Sequence, residues 1–111
     1  MVKRGHEIDW AECLSETDTL FVRLVYEQDS VELVGFALVY VAELGGKFIE
    51  VVKFDAGPHE PVNAHYYFKS PPEKRYLNGE KSIETVDVLA GMLREKWVFY
   101  RAKFVENHPF I

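Results

Sequence analysis

Asp55, His59 and His65 are the residues whose chemistry stands out, because histidine is the side chain that changes charge near neutral pH and a carboxylate beside it can orient or balance it. They lie in one stretch, Phe48 to Phe68, in which two strand-like runs are joined by a turn containing Pro58-His59-Glu60-Pro61. Two histidines and a carboxylate around a short connection can supply a general base, a general acid and an orienting group. In a ribonuclease-type reaction one histidine would take the proton of a ribose 2′-hydroxyl and the other would protonate the leaving oxygen. Arg23, Lys69 or Arg75 would then stabilise charge on the phosphorane, and Tyr67 would line the site. No metal or other cofactor is required by that scheme. The same side chains could instead hold a divalent metal facially, with Glu60 complicating the ligand count, and this ranks second. Each residue also has a structural alternative: Asp55 as a turn former that bonds its own backbone, His65 as a hydrogen-bonded surface histidine and His59 as a solvated loop residue. Whether the protein is an enzyme is left open by these residue types.

Other routes to chemistry are missing from the sequence. There is no Gly-rich phosphate loop, no Gly-x-Ser-x-Gly elbow and no His-Glu-x-x-His. The single Cys13 cannot form an intramolecular disulfide or a multi-cysteine zinc site, and its apolar and acidic neighbours predict a buried or inert thiol in a reducing compartment. A formal net charge of -5 argues against general affinity for nucleic-acid backbones, so RNA binding would need a local basic patch.

The elements that must position these residues are read from hydrophobic periodicity. The chain of 111 residues, 48% hydrophobic and 14% aromatic, is enough for one domain with a real core. The spacing of Ile8, Trp10 and Leu14 predicts a short helical turn or two near the start. Residues 19–26 read as a first strand and residues 31–43 as a second, apolar on both parities as for a strand covered on both faces. Gly45-Gly46 then predicts a hairpin into a third strand over 47–55. A fourth strand follows the turn, with Val62, Ala64, Tyr66 and Phe68 facing a core and Asn63, His65, Tyr67 and Lys69 facing away. Pro71-Pro72 ends the pairing.

Ser82 is the expected N-cap of a long helix that carries Ile83, Val86, Leu89, Ala90, Leu93, Trp97, Tyr100 and Phe104 at three- and four-residue spacing and stops at His108-Pro109. Basic residues from Arg94 to Lys103 suit the negative end of its dipole. Gly91, inside that helix, predicts a close backbone approach or a kink. The expectation is therefore a single α+β domain over residues 1–111, an antiparallel sheet of about four strands with a long C-terminal helix on one face. The second face of the sheet would be closed by curvature, by the N-terminal segment or by another copy of the chain, of which a homodimer is preferred.

At the Asp55–His65 stretch the sequence resembles the small prokaryotic TumE-type proteins, proposed toxins of toxin-antitoxin pairs. The resemblance rests on a strand ending in Phe54-Asp55, the turn with Pro58-His59 and Pro61, and the strand bearing His65, with Glu60 standing where the family turn tends to carry a second histidine. It implies a small cytoplasmic protein with an antitoxin partner and an RNA target. The start shows no secretory signal and no segment is long enough to span a bilayer, so a soluble protein is expected. The abundance of charged residues, 28%, with one Gln and three Asn, leans towards a heat-adapted source. The competing reading is a non-catalytic, homo-oligomeric interaction module that works through the spare face of the sheet.

Overall fold

A computed structural model describes residues 6–109, a six-stranded antiparallel sheet followed by one long helix. The strands are β1 (Glu7–Cys13), β2 (Asp18–Tyr26), β3 (Leu33–Leu44), β4 (Lys47–Ala56), β5 (Asn63–Tyr66) and β6 (Glu73–Tyr76), and the helix is α1 (Ile83–Asn107). Strand order in space follows strand order in sequence, so each strand pairs only with its chain neighbours. The α+β class, the antiparallel sheet and the C-terminal helix agree with the sequence reading, but the sheet has six strands and not about four.

The two additional strands lie at the edges. Residues 7–13 form β1 against β2, where helical turns were expected; the earlier part of that expectation, residues 1–5, lies outside the described residues. Ile8 pairs with Leu24 and Trp10 with Val22, so the apolar residues of this segment extend the helix-side face of the sheet at its margin, remaining 45% and 40% exposed. At the other edge β6 is only four residues long, and β5 stops at Tyr66, three residues short of the strand expected to reach Lys69.

Alternation along the strands decides which face is core. Leu20, Val22 and Leu24 of β2, Phe36, Leu38 and Tyr40 of β3, and Val52, Phe54 and Ala56 of β4 are buried on the side that α1 covers. Val86, Leu89, Ala90, Leu93, Tyr100 and Phe104 descend onto them from the helix. Tyr100 stacks on Phe68 at 5.2 Å between ring centroids, and Trp97 meets Tyr40 edge-on at 6.3 Å. Each fully buried aliphatic side chain in this layer contributes about 1.5–3 kcal/mol.

Local chemistry sets the ends of the elements. Gly45 and Gly46 adopt φ of 59° and 77°, the left-handed values that a tight β3–β4 hairpin needs. Gly35 is required for a different reason: a Cβ there would meet the carbonyl oxygen of Ala56 at 2.8 Å, so only glycine lets β3 and β4 approach at that level. A bulge at Val51, between the Tyr40–Val52 and Val41–Glu50 pairs, bends β4 and buries two consecutive valines. Ser82 caps α1 as expected, its Oγ accepting from the Thr85 backbone N–H at 3.2 Å, and the helix ends at His108. The expected basic last turn is absent; Asn107 instead donates to the Phe68 carbonyl at 2.9 Å and the His108 ring lies 2.9 Å from the Phe104 carbonyl.

No backbone crowds Gly91, where an added Cβ would meet nothing within 4 Å, so the close approach expected inside the domain does not occur. No helix among the described residues is long and apolar enough to cross a membrane.

Candidate functional site

The helix-free face of the sheet is where the candidate residues gather. Lys53 and Asp55 on β4 point away from α1, opposite Val39 and Ala37 on one side and His65 and Asn63 on the other. The ladder continues from His65 to Lys74 on β6, giving a cross-strand row Phe21–Val39–Lys53–His65–Lys74 on one face. His65 thus stands between two lysines, and Asp55 is its diagonal neighbour across the β4–β5 pair, ~7 Å away at Cβ by sheet geometry. The strand alternation that placed His65 and Tyr67 away from the core is correct, and it is what brings Lys53 and Asp55 to the same side.

The polar partners within the row are short-range. Lys53 Nζ lies 3.3 Å from Asp55 Oδ2, so Asp55 forms an ion pair and does not bond its own turn. That turn is held by Asn63, whose Nδ2 donates to the Asp55 and Pro61 carbonyls at 3.2 and 3.0 Å, and by the paired backbone groups of Gly57 and Glu60. Asn63 is fully buried and its Oδ1 has no partner. The His65 ring stacks on Tyr67 with centroids 5.6 Å apart and planes 16° from parallel. Burial raises the Tyr67 phenol above its ordinary pKa, Glu50 and Asp55 push it further and Lys53 opposes them, so it remains a neutral hydrogen-bond donor at pH 7.

His59 sits exposed in the turn after β4, with no hydrogen bond to Asp55 or His65. Among the described residues no three His, Cys, Asp or Glu side chains converge as metal ligands, so the facial metal arrangement is not formed by Asp55, His59 and His65. Asp55 and His65 share a face; His59 lies in the connecting turn and is not brought into contact with either of them.

Three of the four expected binding residues are displaced from that row. Arg23 is on the helix-free face but two strands away from Asp55, and its Nε lies 2.8 Å from Asp9 and 3.8 Å from Glu7. Arg75 pairs with Ala64 in the ladder and therefore faces the helix side, opposite to His65. Lys69 falls in the turn beyond β5 and, like Arg75, is tied to Glu73, at 3.0 and 2.8 Å respectively. Lys53 and Lys74 occupy the places beside His65 that those residues were expected to fill, Lys74 being held by Glu60 at 2.5 Å. The signal for both was the strand parity itself, which requires the register to be known.

Next to the charged row the face is apolar and concave. An open depression of about 520 Å³ is lined on this face by Ala11, Phe21, Ala37 and Val39 with Asp9, Arg23 and Lys53 at its polar margin. A second, of about 250 Å³, adjoins it through Arg23 and Ala37 and runs to Asp55 and Pro58. Among the described residues nothing closes the second face of the sheet: residues 7–13 add an edge strand and do not cover it.

Sequence reasoning missed a buried polar cluster at the other end of the molecule. Asp18 is 2% exposed and accepts hydrogen bonds from Ser15 Oγ at 2.6 Å, Thr17 Oγ1 at 2.9 Å and the hydroxyl of Tyr40, with Arg101 Nε 3.4 Å away. Burial alone would raise its pKa; the hydroxyl donors and Arg101 overcome this and hold the carboxyl below its ordinary value. The same arrangement pushes the Tyr40 phenol far up, through burial first, then its hydrogen bond to Asp18 and the Asp18 charge. Cys13 is exposed, so of the expected buried or inert thiol the buried alternative does not hold.

Comparison with known proteins returns no matching family, curated protein or solved structure.

Proposed function

We propose that the protein is a small toxin-like ribonuclease that acts without a metal, with the row Lys53–His65–Lys74 and the adjoining Asp55 and His59 as its reaction site. The observation that supports this reading is the shared face of Asp55, Lys53, His65 and Lys74, in register across three strands. Local charge is compatible with it: residues 53–81 hold five of the thirteen Lys and Arg and four of the eighteen Asp and Glu, so this sector escapes the net negative charge of the chain. It also presents aromatic surfaces, with Tyr76 61% exposed and the Lys74 ammonium 5.1 Å from its ring centroid.

In this reading His65 removes the proton of the 2′-hydroxyl. The 2′-oxygen then attacks phosphorus, the bond from phosphorus to the 5′-oxygen breaks, and His59 delivers a proton to that oxygen, leaving a 2′,3′-cyclic phosphate. Lys53 and Lys74 flank the phosphorane and stabilise its charge, and Asp55 fixes the Lys53 ammonium. An antitoxin partner and a cytoplasmic setting belong to the same reading, as the TumE-type resemblance implies.

The test is cleavage of a single-stranded RNA oligonucleotide in the presence of a chelator, with the termini of the products identified. His65→Ala and His59→Ala are each expected to lower the rate by about 10²-fold or more while leaving the melting temperature within a few degrees. Undiminished cleavage by both variants, or none by the wild-type chain, would sink the proposal.

A second reading is favoured by the depression beside the row: a non-catalytic interaction module whose partner covers Phe21 and Val39. Phe21 is 46% exposed at the middle of a strand, which leaves a large apolar side chain in water unless something packs on it.

A further inference from the structure

The two edges of the sheet are finished differently. β6 is four residues long, follows Pro71-Pro72 and carries Lys74 and Arg75, all of which discourage a further strand from adding to an edge. β1 has none of these protections: it runs for seven residues without proline, lysine or a shift of register, and it is exposed along its length apart from Glu12. Its backbone is also directed for pairing. The Tyr26 N–H donates to the His6 carbonyl at 2.9 Å and the Leu14 N–H to the Asp18 carbonyl at 2.8 Å, which extends the β1–β2 register by one bonded pair at each end. Bonded pairs alternate in an antiparallel ladder, so Ile8, Trp10 and Glu12 bond to β2. Glu7, Asp9, Ala11 and Cys13 turn their N–H and C=O groups outward, where no strand among the described residues meets them. The carboxylates that would otherwise guard this edge are drawn inward: Arg23 holds Asp9 and Glu7, at 2.8 and 3.8 Å, and Arg94 holds both oxygens of Glu12.

The strand is its own complement. When a second β1 lies antiparallel beside the first, outward-directed residues must oppose one another, so the twofold axis falls on a residue of the strand. Centred on Trp10, all seven residues pair: Glu7 faces Cys13, Asp9 faces Ala11 and Glu12 faces Ile8, and no two carboxylates are opposed. Moving the centre to Asp9 sets Asp9 against Asp9, moving it to Ala11 sets Trp10 against Glu12, and either leaves only five residues paired. In the Trp10 register the two indoles, exposed in the single chain, close on each other at a pair without hydrogen bonds, where cross-strand side chains come nearest.

We infer that β1 is the seat of a twofold homodimer, in which two copies of this strand pair antiparallel about Trp10 and join their sheets edge to edge. The inference is independent of the ribonuclease reading, since it uses none of the residues of that site. One strand pair buries less than the ~800 Å² per partner of a standard interface, so the association is weak, with a Kd of about 10 µM or above.

Cross-linking tests the register. In a Cys13→Ser background, which removes the exposed native thiol, Trp10→Cys is expected to give a covalent dimer on mild oxidation at ~100 µM protein, because the two copies of residue 10 would lie ~4.5 Å apart at Cα. Ile8→Cys is not, because its two copies would be ~14 Å apart along the strands. Ala11→Pro removes an outward N–H and no bond to β2, so it is expected to keep the melting temperature within a few degrees and to abolish dimer in sedimentation. Equal cross-linking by the two cysteine variants overturns the register, and undiminished dimer in folded Ala11→Pro overturns the edge as its seat. A wild-type chain that stays monomeric at ~1 mM overturns the inference altogether and leaves the edge to a strand of another protein.

Discussion

Asp18 is nearly fully buried, and four side chains from three parts of the chain keep it charged: Ser15 and Thr17 in the β1–β2 turn, Tyr40 on β3 and Arg101 on α1. Because its pKa in the folded protein lies below the unfolded value, the unfolded chain takes up its proton first as pH falls. The stability it contributes is complete above about pH 4 and is lost as pH drops through the folded pKa. Asp18→Asn is therefore expected to destabilise the protein by about 3 kcal/mol at pH 7 and by less at a pH below the unfolded pKa, and Tyr40→Phe by about 2 kcal/mol at pH 7. Urea titrations at the two pH values measure this, and an equal loss for Asp18→Asn at both would show that its charge is not what matters. None of this cluster was legible in the sequence, because Tyr40 and Arg101 are remote from Asp18 along the chain. Asp55 and His65 were legible as neighbours, since a hairpin and strand alternation suffice to bring them together. Lys69 and Arg75 were misplaced for the complementary reason: β5 ends at Tyr66 and the chain turns before Arg75, so parity counted from His65 no longer applies.

Among the elements, α1 was readable in full because a capping serine, regular apolar spacing and His-Pro at the end agree with one another. β6 was not, because Glu73-Lys74-Arg75-Tyr76 has no apolar alternation; its pairing with β5 is what makes it a strand. β1 was mistaken for helical turns because three apolar residues in a short window fit either period, and the free edge of β2 decides in favour of a strand. α1 also holds β1 in place: Arg94 donates to both carboxylate oxygens of Glu12, at 2.9 and 2.6 Å. Within α1 the unexplained cost is Gly91. Gly91→Ala is expected to stabilise the protein by about 1 kcal/mol, since the new methyl group meets no neighbour within 4 Å. A thermal melt should show a rise of roughly 4–8 °C. A fall would mean that the glycine is needed for the shape of the helix itself.

The whole molecule is an elongated body of 46 × 28 × 27 Å with its chemistry divided between the two sides of one sheet. The helix side is the core, and the other side joins a basic row to an apolar depression. This division discriminates the two functional readings. Val39 lies at the boundary, facing Phe21 on one strand and Lys53 on the other, whereas Phe36 is buried under α1 and cannot report on the surface. Val39→Glu is expected to abolish partner capture at the depression if the interaction reading holds, with RNA cleavage reduced only modestly, about 2- to 3-fold, if the ribonuclease reading holds. Light scattering and the cleavage assay on the same sample separate these outcomes.

The meander has a consequence for how the chain is made. All six strands among the described residues pair with their sequence neighbours, so the sheet can assemble as synthesis proceeds, but the layer that covers Leu20, Leu38 and Phe54 is translated after every strand. From the end of β6 to the end of α1, at ~5–20 residues per second, the ribosome needs roughly 2–6 s. For that interval the nascent sheet has no cover for its apolar side but solvent or a chaperone, and the arrival of the helix is the event that closes it.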